Sequence, residues 1–194
     1  MGKQKYLKDI RNLFERSPVV SSDSIFRLIN SKKNVKQYNK QLIRNLILKK
    51  SINRLVKGCY SYSDDPSLAV FCFKHGYLGL KDALSFHNIW EQETIPIIIT
   101  SKRVRQGIRK ILGMNVLIRR INKKYLFGFD YYKQGNIYYP YSDLEKTFID
   151  LIYFKEKINK EIINTLKKKI NIRKLKSYLK VYPEKTRKRV LNII

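Results

Sequence analysis

Lys36, Gln37, Lys40, Gln41 and Arg44 recur at helical spacings in the segment NVKQYNKQLIRNLILKK. On a helix of 3.6 residues per turn they share one side, while Val35, Tyr38, Leu42 and Leu46 fall on the other. The polar side is a row of long donors with no carboxylate among them. Cations in such a row neutralise phosphates, and each contact with a duplex releases condensed counterions, with a salt slope of about −0.9 per contact. Gln37, Asn39 and Gln41 add amides that can pair bidentately with adenine, and Arg44 carries a fork that suits guanine, though its place near the helix end favours a phosphate. Downstream, Arg54 and Lys57 lie on a short hairpin with Lys57-Gly58 at its turn. The expected duplex-DNA interface is therefore Lys33, Lys36, Gln37, Lys40, Gln41 and Arg44 from a recognition helix, with Arg54 and Lys57 reaching the backbone or minor groove. Lys102, Arg103 and Arg105 form a second basic cluster, equally suited to DNA or to an acidic partner.

Catalytic chemistry is much less legible. The chain has no Gly-rich phosphate loop, no His-x-Glu or Cys-x-x-Cys metal spacing and no Ser nucleophile elbow. His75 and His87 read as structural residues, and Cys59 and Cys72 as buried thiols in a reducing cytosol. No Asp or Glu has a Lys two places on, as common metal nucleases require. Asp150 is placed to pair with Lys146 at i, i+4. The expectation is a binding protein rather than an enzyme, with no cofactor and no metal.

Elements that would position the basic row can be read around it. A first helix spans 3–16 and ends at Ser17-Pro18, because a residue before proline is pushed out of the helical region. Val19-Val20 is extended, and Ser21-Ser22-Asp23 supplies N-cap candidates for a second helix through Asn30. Asn30 to Asn34 is a turn, followed by the recognition helix and hairpin. That order predicts a winged helix-turn-helix over 1–63. Ser63 to Ser67 is a polar breaker. Beyond it, 67–194 reads as a mixed α+β domain. Strands are expected at Leu68–Phe73, Ile95–Thr100, Val116–Ile121, Tyr125–Tyr132 and Ile137–Tyr139, and Gly76–His87 is expected to hold a helix bearing Leu80, Ala83 and Leu84. Ser142-Asp143-Leu144-Glu145 reads as a capping box, the Ser142 hydroxyl taking the Glu145 N–H. Three amphipathic helical pieces make a basic tail from about residue 155. The fold class expected is α+β: a winged helix-turn-helix, then a mixed domain ending in a helical tail.

Charge points the same way. The 194 residues carry 42 bases against 15 acids, a net +27. It is uneven: residues 1–63 are net +12, residues 64–154 only +4, and residues 155–194 +11. Two basic ends flank a nearly balanced middle, which argues for a polyanionic partner. No apolar run approaches the ~20 residues of a membrane span, and no signal-peptide core is seen, so a cytoplasmic location is expected.

Four segments together resemble the AbiEi family of antitoxin-repressors from type IV toxin–antitoxin systems. Arg54-Leu55-Val56-Lys57-Gly58-Cys59-Tyr60 is similar to the family's wing, and Gly76-Tyr77-Leu78-Gly79-Leu80-Lys81-Asp82-Ala83-Leu84 to its tyrosine-led helix opening. Ile97 to Arg103 resembles its strand-then-basic-loop element. Leu144-Glu145-Lys146-Thr147-Phe148-Ile149-Asp150-Leu151-Ile152-Tyr153 is similar to its Glu-Lys…Asp-Leu helix, the most specific of the four. The resemblance implies a winged helix that binds inverted repeats in its own promoter, and a C-terminal domain that opposes a nucleotidyltransferase-like toxin. A stand-alone winged-helix regulator or a basic RNA-binding protein are the alternatives. The family's glycine before the first wing strand is absent here, where Lys50-Ser51 stands.

Overall fold

The periodicity of Ile10 and Phe14 on one side of the first helix and Ile25 and Ile29 on the second makes two inward stripes, and these seed the N-terminal core. The computed structural model describes residues 6–29 and 35–194, with the side chains of residues 35–37 outside that description. The chain divides into two units, residues 1–72 with 110–114 and residues 73–109 with 115–194.

In the first unit, α1 (Leu7–Arg16), β1 (Val20–Ser21), α2 (Ser22–Ile29) and α3 (Val35–Leu48) precede the hairpin β2 (Asn53–Val56) and β3 (Cys59–Ser61). The three strands form an antiparallel sheet in the order β1-β3-β2, with Val20 opposite Tyr60 and Arg54 opposite the same residue from the other side. This is winged-helix topology. Ser21 caps α2, its Oγ accepting the Ser24 N–H at 3.0 Å. Gly58 takes φ +82 at the hairpin turn, and its carbonyl accepts the Ser22 N–H at 2.8 Å, tying the wing to the start of α2. At the other end of α3, Lys50 takes the left-handed conformation at φ +52 and Ser51 N–H returns to the Leu46 carbonyl at 2.9 Å. A lysine thus fills the position where a glycine would be unstrained.

After residue 72, β4 (Gly76–Leu78), β5 (Ile97–Thr100), β6 (Gly107–Ile111), β7 (Met114–Arg120), β8 (Phe129–Gln134) and β9 (Ile137–Ser142) form one sheet in the order β6-β7-β5-β4-β9-β8, and of these strands only residues 110, 111 and 114 are counted with the first unit. It is mixed: β4 runs antiparallel to β5 and parallel to β9, and β5 runs parallel to β7. Helix α4 (Lys81–Phe86) follows β4. Helix α5 (Leu144–Tyr153) follows β9, and α6 (Lys160–Lys169), α7 (Ile172–Leu179) and α8 (Glu184–Leu191) pack around it. Every residue of α5 from Glu145 to Leu151 is buried, because helices and sheet cover it on all sides. The α+β class and the order of the N-terminal elements are as the sequence predicts.

Several local expectations are corrected. Leu68–Phe73 is no strand; Pro66–Cys72 forms a 3-10 helix, with Asp65 Oδ1 accepting the Ser67 N–H at 2.8 Å. A short apolar run buried on all sides has no periodicity to separate the two. The helix expected within Gly76–His87 is α4, and the unexpected part of that stretch is the strand β4 before it. The strand expected at Tyr125 begins only at Phe129, after a 3-10 turn at Lys123–Tyr125 that Asn122 caps. Strand β6 was not expected, since only Ile111 of its five residues is buried. The cap of α5 lies one residue later than the sequence suggests. Asp143 Oδ1 accepts the Lys146 N–H at 2.7 Å, while Ser142 ends β9 with its hydroxyl 2.7 Å from that of Thr147. Glu145 does not reach back to Ser142; its Oε1 accepts the Asn171 N–H at 2.8 Å. The predicted turn Asn30–Asn34 lies outside the described residues.

Candidate nucleic-acid interface

Helix α3 is oriented by what it buries. Asn39, Ile43 and Leu46, at i, i+4 and i+7, face the core, with Leu42 and Ile47 on the margins. The inward stripe is therefore turned by about one residue from the one predicted. Tyr38 is 43% exposed rather than core, because it borders an open groove of about 660 Å³ between α1 and α3 and meets Tyr6 edge to face at 6.3 Å. Asn39, expected to read base edges, is only 1% exposed and cannot reach a ligand.

The opposite side of α3 presents Lys40, Gln41, Arg44, Asn45 and Leu48, all exposed. Gln41 Nε2 donates to Asn45 Oδ1 at 3.2 Å, one turn on, which fixes the direction of its carbonyl oxygen. Lys36 and Gln37 lie on the same helix, with side chains outside the described ones, and Lys33 lies outside the described residues. Leu48 is 69% exposed on the face that carries Gln41 and Arg44, an apolar tip that periodicity alone assigned no role.

On the wing, Leu55 is buried and Arg54 exposed, as strand alternation requires, and Lys57 is exposed at the turn. Burial raises the Tyr60 phenol pKa, and the Arg54 charge beside it partly opposes that rise. Among the described residues, none of Lys40, Arg44, Arg54 or Lys57 has a carboxylate within 4.0 Å. Their charges are not consumed inside the fold. A phosphate chain meeting this surface would find donors and no repulsion.

Lys102, Arg103 and Arg105 are exposed in the loop between β5 and β6, in the second unit. Lys102 N–H donates to Thr100 Oγ1 at 3.1 Å, and the Arg105 carbonyl accepts from the Arg109 guanidinium. Lys40, Gln41 and Arg44 share one helix face of the first unit, and Lys102, Arg103 and Arg105 belong to the second.

The second unit also contains a polar cluster that spacing only hinted at. Lys146 and Asp150 form an ion pair at 0% exposure. Tyr77 Oη donates to Asp150 Oδ2 at 2.6 Å, and Lys146 Nζ donates to Tyr182 Oη at 3.1 Å. The ammonium is ringed by Tyr77, Phe127 and Tyr182, with centroids at 5.3, 5.7 and 5.8 Å. Burial lowers the Lys146 pKa and raises that of Asp150, and each charge offsets part of the other's penalty. Burial and the Asp150 charge hold Tyr77 protonated. Closed on every side, this cluster binds the sheet to the helices and offers no atom to a substrate. Among the described residues, no group of three or more His, Cys, Asp or Glu is placed to hold a metal. His87 Nε2 lies 2.8 Å from the Ser142 carbonyl. No described helix is long and apolar enough to cross a membrane.

No family model matches the sequence, and no curated protein matches it. Among solved structures, the chain is similar to the crystal structure of the RV2827C protein from Mycobacterium tuberculosis. The TM-score is 0.61 at 12% identity, covering 97% of this chain and 75% of that one. At that identity the likeness is one of fold.

Proposed function

We propose that this protein is a sequence-specific, duplex-DNA-binding transcriptional repressor acting at its own promoter. The observation that carries the reading is the acid-free outward face of α3, where Lys40, Gln41 and Arg44 stand exposed, together with the exposed wing cations Arg54 and Lys57 of the same unit. The lysines and wing residues supply phosphate contacts, and Gln41 and Arg44 supply the base-edge donors that carry sequence information. The role is binding, not catalysis. The family resemblance extends the reading to an antitoxin, whose second unit opposes a nucleotidyltransferase-like toxin encoded beside it.

The test is retardation of the DNA upstream of the protein's own coding region, against random duplex and structured RNA, at ~150 mM salt. A preference of ~100-fold or more for the upstream DNA supports a specific regulator. Equal binding to all three probes removes the reading. Coexpression with a neighbouring nucleotidyltransferase addresses the antitoxin half: growth rescue supports it, and unrelieved toxicity contradicts it.

A further inference from the structure

We propose that the groove between α1 and α3 is a binding site for a planar aromatic carboxylate, and that filling it weakens the grip of α3 on DNA. The binding half stands on the groove alone; the effect on DNA rests on the promoter reading.

The groove lies wholly within the first unit. Ile10, Leu46 and Ile52, buried in the N-terminal core, give it an apolar floor together with Leu42. Its volume, about 660 Å³, falls in the range of about 300–1,000 Å³ that holds small ligands. Two tyrosines that core packing does not consume also line it, Tyr38 at 43% and Tyr62 at 44% exposure. Each already meets one ring: Tyr38 meets Tyr6 edge to face at 6.3 Å, and Tyr62 stacks on Phe14 at 4.5 Å. A flat aromatic body entering the groove therefore extends ring pairs that exist.

Charge selects the other end of the ligand. Arg11 and Lys49 line the groove and are exposed, and neither has a carboxylate within 4.0 Å among the described residues. No Asp or Glu among the described residues lines it. An arginine fork takes a carboxylate bidentately, and a lysine adds a point charge. A duplex phosphate would leave the apolar floor uncovered. A second copy of this chain would bring the same two cations to the contact.

Gln41 links the groove to DNA. It lines the groove while standing on the outward face with Lys40 and Arg44, and it donates to Asn45, a second lining residue, at 3.2 Å. A carboxylate held there sets negative charge against the helix that meets phosphates. It also engages an amide that would otherwise read a base. Linkage makes the effect mutual, so bound DNA lowers the affinity for the carboxylate by the same factor.

The experiment titrates the full chain with naphthalene-2-carboxylate by calorimetry, with the uncharged naphthalene-2-carboxamide alongside. The carboxylate should bind saturably at one site. The carboxamide on the native chain, and the carboxylate on an Arg11→Gln, Lys49→Gln variant, should bind at least ~10-fold more weakly, the scale of a lost charge-assisted hydrogen bond. Tyr38→Ala should weaken both ligands, and circular dichroism verifies the fold of each variant. No saturable binding at millimolar ligand, or equal affinity for acid and amide, overturns the site. Anisotropy on upstream duplex, with and without saturating carboxylate, tests the second half: affinity should fall for the native chain and hold for the Arg11, Lys49 variant. Unchanged DNA affinity under saturation overturns the coupling and leaves the site standing. A chain that binds the carboxylate yet shows no preference for upstream DNA refutes the promoter reading and not the groove.

Discussion

The Tyr77 hydroxyl donates a 2.6 Å hydrogen bond to the Asp150 carboxylate, joining a strand to a helix 73 positions further along the chain. Those two residues belong to two of the four segments that resemble the AbiEi family, the tyrosine-led opening and the Glu-Lys…Asp-Leu helix. In this protein the two segments meet in the core, around the Lys146 ammonium.

Removing one member of that ion pair should cost more than removing the hydroxyl. Lys146→Ala or Asp150→Ala leaves a charge buried without its partner, and about 3–5 kcal/mol of stability should be lost. Tyr77→Phe leaves one carboxylate oxygen short of a donor, and about 1–3 kcal/mol should go. The double change Lys146→Met with Asp150→Leu should recover much of the loss. Urea unfolding of the four variants measures this, and single changes within 1 kcal/mol of the native chain would contradict the assignment.

Alkaline pH should loosen the junction of α5 and α7. Burial, reinforced by a 2.8 Å hydrogen bond to Asp143, pushes the Tyr178 pKa up to about 12 from an ordinary 10.0. Partial burial would lower Lys174, but the hydrogen bond and charge of Asp143, with Glu145, outweigh it and raise its pKa. Both groups therefore stay protonated in the folded chain at a pH where the unfolded chain has begun to release those protons. Their contribution is complete below pH 10 and falls between pH 10 and about 12. Tyr178→Phe should flatten the fall in urea midpoint over that window; an unchanged slope would remove Tyr178 from the linkage.

Gly58→Ala should destabilise the first unit. The residue sits at φ +82, and an added Cβ would stand 3.1 Å from the Ser22 hydroxyl, against the point where the wing is tied to α2. A loss exceeding the ~0.4–1 kcal/mol usually gained from glycine replacement is expected, with the opposite sign. Thermal melting decides it, and a raised midpoint would show that the turn tolerates a side chain.

The wing should contribute affinity without specificity. Arg54→Ala and Lys57→Ala should each reduce the salt slope by about one and weaken upstream and random duplex alike. Anisotropy titrations over a salt series test this, and a change confined to the upstream sequence would make the wing a reader of bases.

How much of this was legible depended on whether an element has two distinguishable sides. The winged-helix order could be read because α1 and α2 each have one apolar stripe and the wing has a glycine turn. The register of α3 could not. Tyr38 and Asn39 are adjacent, and nothing in their types says that the amide goes in and the ring stays out. The 3-10 helix at Pro66–Cys72 and the edge strand β6 failed for opposite reasons, one apolar on all sides and the other polar on nearly all. Of the candidate site, Lys40, Gln41, Arg44, Arg54 and Lys57 are exposed, as a surface role requires. The i, i+4 spacing hinted at the Lys146–Asp150 pair, but its aromatic ring is assembled from distant segments and has no local signature.

Base recognition by α3 is the claim on which the rest turns, and one comparison reaches it directly. The ratio of affinities for upstream and random duplex is measured for the native chain and for Gln41→Ala combined with Arg44→Ala, at fixed salt. Because each bidentate pairing discriminates by about 1–3 kcal/mol, the ratio should fall at least ~10-fold in the variant. A ratio that survives both substitutions would mean that sequence is read somewhere other than this helix.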